Sequence, residues 1–113
     1  MSTLEDTWVD VCALDDLLPG RGVAALVDGL QVALFRLGDG DDVVAVANRD
    51  PFSGANVIAR GLTGSKADVD TVASPIYKQR FDLRTGRCLD DPAVRLAVFV
   101  ARVDAGRVVV RTP

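Results

Sequence analysis

Apolar positions in this chain come in short runs, each closed by a turn-forming pair, rather than at the three- and four-residue spacing of an amphipathic helix. Trp8-Val9-Asp10-Val11-Cys12-Ala13 reads as a first strand. Leu14-Asp15-Asp16-Leu17-Leu18-Pro19-Gly20 reads as a single helical turn, acidic at its start and stopped by Pro-Gly. Val23 to Val27 and Leu30 to Leu37 flank Asp28-Gly29, the dipeptide favoured by a two-residue type I′ hairpin because both central positions need positive φ. Gly38-Asp39-Gly40-Asp41 predicts another turn, followed by a strand at Val43-Val44-Ala45-Val46-Ala47, rich in β-branched residues. Near the end, Val94 to Val103 and Arg107 to Arg111 read as strands joined by Asp104-Ala105-Gly106.

The middle of the chain, 48–90, breaks this pattern. Pro51, Gly54, Gly61, Gly64, Pro75 and Gly86 cut it into short pieces, with brief strands expected around Leu62–Lys66, Thr71–Ala73 and Arg80–Asp82. The reading is one all-β domain over residues 1–113, with framework strands over about 7–47 and 94–112 and a loop-rich subdomain over about 48–90. A chain of 113 residues makes one domain, large enough for its own core and too short for two domains. No internal repeat or linker stands out.

Composition matters mainly through what it lacks. There is no histidine, so the commonest metal ligand and the usual base near neutral pH are gone, and neither a Ser-His-Asp nor a Cys-His unit can be built. The two cysteines, Cys12 and Cys88, form no Cys-x-x-Cys pair and are expected as small buried apolar residues. A hydrophobic fraction of 49% and a charged fraction of 26% are those of an ordinary globular protein. No apolar run approaches the ~18 residues of a membrane span. Met1-Ser2-Thr3-Leu4-Glu5-Asp6 lacks the basic and apolar regions of a signal peptide, which sets a cytoplasmic location as the expectation.

The net charge of −3 hides a segregation. Residues 49–87 carry seven basic side chains against four acidic ones, while the remainder carries six basic and twelve acidic. A mildly positive segment on an acidic domain suits the steering of an acidic partner protein. It is too weak, and too poor in aromatics, for nucleic acid. Asp39, Asp41 and Asp42 are expected as a solvated turn, because the other ligands of a calcium loop are missing. Trp8 and Phe99 are assigned to core or edge packing.

Two segments of the middle region stand out. Asn48-Arg49-Asp50-Pro51-Phe52-Ser53-Gly54-Ala55-Asn56, followed by Arg60-Gly61, precedes Ser74-Pro75-Ile76-Tyr77-Lys78-Gln79-Arg80-Phe81-Asp82-Leu83, which runs on through Arg84-Thr85-Gly86-Arg87-Cys88-Leu89. In this order they resemble the Rieske ferredoxin fold. The details of the two loops are similar to one branch of it, the small subunits of assimilatory NAD(P)H-dependent nitrite reductase. The likeness spans nearly the whole chain. It implies a Rieske-like antiparallel β-sandwich in which two loops converge at one tip.

A Rieske centre takes two thiolates and two imidazoles, spaced Cys-x-His and Cys-x-x-His. At that spacing this chain has Asp50 and Phe52, then Ser74 and Tyr77. Oxygen donors suit hard cations rather than a [2Fe–2S] core, and neither Cys12 nor Cys88 falls at a ligand position, so no cluster is expected. Phe52 and Tyr77 can fill the space a cluster would take, and Asp50 and Ser74 can accept hydrogen bonds from loop amides. Each precedes a proline, which biases its backbone away from helix.

The resemblance further implies a partner, a nitrite reductase large subunit carrying FAD, a [4Fe–4S] cluster and siroheme, which reduces nitrite to ammonium. This chain would be its non-catalytic accessory subunit. Lys78 and Arg80, flanking the second loop, lead as candidates for docking it, followed by Arg60 and Arg49; pairing with acids such as Asp82 is the plainer role for such residues. The alternatives are a free-standing interaction or regulatory module for another oxidoreductase, or a ferredoxin-type electron-transfer component.

Overall fold

The computed structural model describes residues 8–111, without the side chain of Lys66. The expectations about Met1–Asp6, and about a framework reaching residues 7 and 112, fall outside them. The described residues form nine strands: β1 (Trp8–Ala13), β2 (Gly22–Val27), β3 (Leu30–Arg36), β4 (Val43–Ala47), β5 (Leu62–Lys66), β6 (Val69–Ala73), β7 (Arg80–Asp82), β8 (Val98–Asp104) and β9 (Arg107–Arg111). Six make one sheet in the order β1-β9-β8-β4-β3-β2, and β5-β6-β7 make a second. All the paired strands are antiparallel.

Two-residue hairpins set the registers. Val27 pairs with Leu30 across Asp28-Gly29, whose φ angles are +50° and +82°, the type I′ geometry the sequence calls for. Asp104 pairs with Arg107 across Ala105-Gly106, at +50° and +78°. Lys66 pairs with Val69 across Ala67-Asp68, also both positive, so β6 starts at Val69, two residues before the expected Thr71. Ala-Asp lacks the glycine that would announce such a turn.

β8 begins at Val98, later than the expected Val94. The preceding stretch turns its hydrogen bonds elsewhere: the Leu96 N–H donates to the Gly86 carbonyl at 2.7 Å, and the Val94 carbonyl accepts from the Cys88 N–H at 3.0 Å. Leu14–Asp16 is the expected helical turn, of 3₁₀ type. The turn after β3 is gripped from inside. Arg36 donates to the carbonyls of Asp39 at 2.7 Å and Gly40 at 2.9 Å, and to that of Leu17 at 3.2 Å.

Two hydrophobic cores share one wall. On β3, Val32 and Leu34 face a cluster with Leu17, Val27, Val108 and Val110, while Ala33 and Phe35 face a second cluster with Ile58, Val72, Phe81 and Leu83. On β4, Val43 and Ala45 join the first and Val46 the second. A strand buried on both faces reads as an unbroken apolar run, which is why Val32-Ala33-Leu34-Phe35 does not alternate with polar residues. The large sheet curls enough for β1 and β2, its two outermost strands, to touch. The small sheet closes the second core and carries the loops. Cys88 is fully buried there, while Cys12 is only half-buried; both are free thiols. Burial, with Asp16 and Asp10 nearby, pushes the Cys12 thiol up, away from a reactive thiolate. No helix among the described residues is long and apolar enough to cross a membrane.

Candidate functional site

The loop region is built from one turn used three times. In each, a residue donates its N–H to the carbonyl five positions on, and its own carbonyl accepts from the N–H four positions on. Asp50 pairs in this way with Ala55 (2.8 Å) and Gly54 (2.7 Å), Ser74 with Gln79 (2.9 Å) and Lys78 (3.0 Å), and Asp82 with Arg87 (2.8 Å) and Gly86 (2.7 Å). The first side chain of each turn also accepts the N–H two residues on: Asp50 from Phe52 at 2.9 Å, Ser74 from Ile76 at 3.3 Å, and Asp82 from Arg84 at 2.8 Å. The residue four positions on has positive φ in every case, at Gly54 (+79°), Lys78 (+67°) and Gly86 (+79°). Two of the three are glycine, for which that region carries no steric cost.

The first two turns meet. Ser74 Oγ donates to Asp50 Oδ2 at 2.5 Å, and both residues are fully buried. Burial pushes the Asp50 carboxyl up, but hydrogen bonds from Ser74, Phe52 and Ser53 outweigh it and hold the group below the ordinary carboxylate range. Asn48 anchors the first loop from behind. Its Oδ1 accepts the Ala59 N–H at 2.8 Å, and its backbone exchanges bonds with Gln31 and Ile58. Neither Asn48 nor Phe81 is among the site residues the sequence predicts, although Asn48 opens the first motif and Phe81 lies in the second.

The four degenerate ligand positions therefore divide. Asp50 and Ser74 clasp the loops together. Phe52 is half-buried and packs on Phe81, ring centroids 6.2 Å apart and tilted by 47°. Tyr77 does not help to fill the space; it is 61% exposed, and Phe52 finds its ring partner in β7 instead.

The candidate docking cations are scattered. Lys78 is exposed in the second loop and makes no ion pair among the described residues. Arg80 is engaged, its Nη2 3.0 Å from Asp90 Oδ1 and its N–H donating to Oδ2 at 2.8 Å; Asp90, not Asp82, is the partner. Arg49 lies over Gly54 in the first loop. Arg60 borders a separate cleft of about 410 Å³ with Arg21 and Thr63. A larger cleft, about 510 Å³, runs between the turn after β3 and the β5–β6 hairpin. Its charged walls are already satisfied, Arg36 by carbonyls, and Asp42 and Asp70 by Arg84 at 2.5 and 3.3 Å.

The donor set does not fit an iron–sulfur cluster. The ligand positions supply a carboxylate and a hydroxyl tied to each other, a half-buried phenyl ring and an outward-facing phenol, where a Rieske centre needs thiolates and imidazoles. Among the described residues no three Cys, Asp or Glu side chains are grouped to hold a metal ion.

Two curled antiparallel layers with paired loops at one end define the class, and comparison bears this out. The family of Rieske-like [2Fe-2S] domains matches residues 7–111, and the chain belongs to it. Within that family it belongs with the small subunits of NAD(P)H-dependent nitrite reductase. It is 45% identical to the nitrite reductase (NADH) small subunit of Salmonella typhimurium over 104 residues, 92% of this chain and 96% of the relative. A crystal structure from Mycobacterium tuberculosis, assigned as an NADH-dependent nitrite reductase small subunit, superposes with a TM-score of 0.90 at 54% identity, covering 95% of this chain and 96% of that one. The chain is also 40% identical, over 101 residues, to a stretch making up 10% of a nitrite reductase [NAD(P)H] large subunit from Klebsiella oxytoca.

Proposed function

We propose that this chain is the accessory small subunit of a cytoplasmic, assimilatory NAD(P)H-dependent nitrite reductase. In this reading the large chain carries FAD, a [4Fe–4S] cluster and siroheme and reduces nitrite to ammonium. The small chain binds it without contributing a catalytic group. The observation that carries the reading is the double occurrence of the domain, as a separate small subunit of almost the same length and as a tenth of a large-subunit polypeptide. A module found either in cis or in trans of one enzyme acts in contact with it. The chemistry of Asp50, Phe52, Ser74 and Tyr77 supports a role in binding rather than in electron transfer.

Co-expression with the cognate large chain tests this. The two should co-purify, and nitrite reduction by the large chain should fall or become less stable when the small chain is withheld. Absence of association together with unchanged activity sinks the proposal. Iron and acid-labile sulfide on the purified small chain separate it from a ferredoxin: stoichiometric amounts of both favour the electron carrier.

A further inference from the structure

The second loop ends in an apolar point that nothing among the described residues covers. Pro75 is exposed, Ile76 is 44% exposed and Tyr77 61%. Pro51 is exposed as well, one residue beyond the other half of the Asp50–Ser74 clasp. Single exposed apolar side chains are ordinary, but three in a row, Pro75, Ile76 and the chain's only tyrosine, are not.

A second observation singles out the same loop. Of the three sister turns, two place glycine at the left-handed position and the third places Lys78 there, at φ +67°. Glycine would be the cheaper residue, so the loop keeps a strained backbone in order to keep a lysine side chain next to Tyr77.

The geometry points to this tip as the surface that docks on the nitrite reductase large chain, with Tyr77 as its anchor and Lys78 as its charged flank; the assignment rests on the subunit reading above. Tyrosine is suited to an anchor. It offers a large amphipathic face with few rotatable bonds, and such residues dominate interface energetics. The clasp makes the tip rigid before contact, so little ordering is lost on binding. The complementary surface is an apolar socket with a carboxylate at its rim. The scaffold that would place imidazole at a metal thus places a phenol towards a protein.

Binding of the purified chain to the cognate large chain, measured by interferometry, tests the assignment, with thermal melts of every variant. Tyr77→Ser and Ile76→Ser, both at exposed positions, should melt as wild type yet weaken binding about tenfold or more. Lys78→Gly should melt at or above the wild-type temperature while binding several-fold more weakly, the difference fading in high salt. Val98→Ser and Leu26→Ser, also exposed but on other faces, should bind as wild type. If wild type binds and the tip variants bind equally well, the tip assignment is wrong and the subunit reading stands. If wild type fails to bind, the subunit reading fails and takes the tip with it. If Tyr77→Ser instead dissolves a dimer of this chain while leaving large-chain binding intact, the tip joins copies of the chain and the assignment is again overturned.

Discussion

Ser74 and Asp50, 24 residues apart in sequence, are joined by a 2.5 Å hydrogen bond in the fully buried space between two loops. It links the two halves of the degenerate ligand set side chain to side chain, and it falls at the two positions where a cluster would take thiolates.

Removing the serine hydroxyl leaves a buried carboxylate short of a donor and Ile76 N–H short of an acceptor. Ser74→Ala should therefore lower stability by about 1.5–3 kcal/mol, the range for a hydrogen bond to a charged group. Asp50→Ala should cost more, because it also orphans the Phe52 N–H. Urea unfolding of the two single variants and the double variant gives the coupling; strictly additive losses would mean the link carries no energy of its own.

The clasp should also report on pH. Asp50 titrates lower in the folded chain than in the unfolded one, so the unfolded state takes up its proton first on acidification. Its contribution is complete above the ordinary carboxylate range and is lost as pH falls through the folded value. Asp50→Asn keeps a group of the same shape without that titration. Wild type should thus lead the variant most at neutral pH, with the gap closing towards acid; a gap that widens on acidification contradicts the assignment.

The two aromatic positions should behave oppositely. Phe52→Ala removes a half-buried ring from Phe81 and should cost about 1–3 kcal/mol, less than the 3–5 of a fully buried phenylalanine. Tyr77→Ala should stay within about 0.5 kcal/mol of wild type, as exposed positions do. Denaturation curves of the pair separate plug from tip.

Gly86 and Gly38 share a left-handed backbone, at +79° and +81°, but not their surroundings. An added Cβ meets nothing within 4 Å at Gly38, whereas at Gly86 it lands 2.1 Å from the Leu96 carbonyl oxygen. Gly38→Ala should cost about 1–2 kcal/mol from the backbone alone. Gly86→Ala should cost on the order of 4 kcal/mol or abolish folding. Similar melting temperatures would show that the third turn yields more easily than its packing suggests.

How much of this the sequence discloses depends on the range of each interaction. Asp28-Gly29 names its own hairpin, and the alternation in β8, with Phe99 turned inward and Val98 and Val100 outward, is visible in the letters. The Ala67-Asp68 turn is not, since neither residue declares positive φ. The three sister turns pass unnoticed because their recurrence lies in backbone hydrogen bonds. In the residues only a short polar side chain at the start is shared, and Lys78 breaks the glycine rule. The lost ligand chemistry at Asp50, Phe52, Ser74 and Tyr77 is plain from residue types. Which of the four turn inward is not, because that depends on Phe81 and on contact between segments far apart in the chain. The partner of Arg80 follows the same logic: Asp82 is near in sequence, but the turn at Asp82–Arg87 carries Asp90 back to it.

The wall shared by β3 and β4 gives the loop region a structural duty that does not depend on iron. Phe35 and Val46 need a roof, and the small sheet with its loops is that roof. Without the loop region, the framework's own inner strands would be wet on one side. The base of that region is committed to holding up the framework, while its outermost point is free for other work.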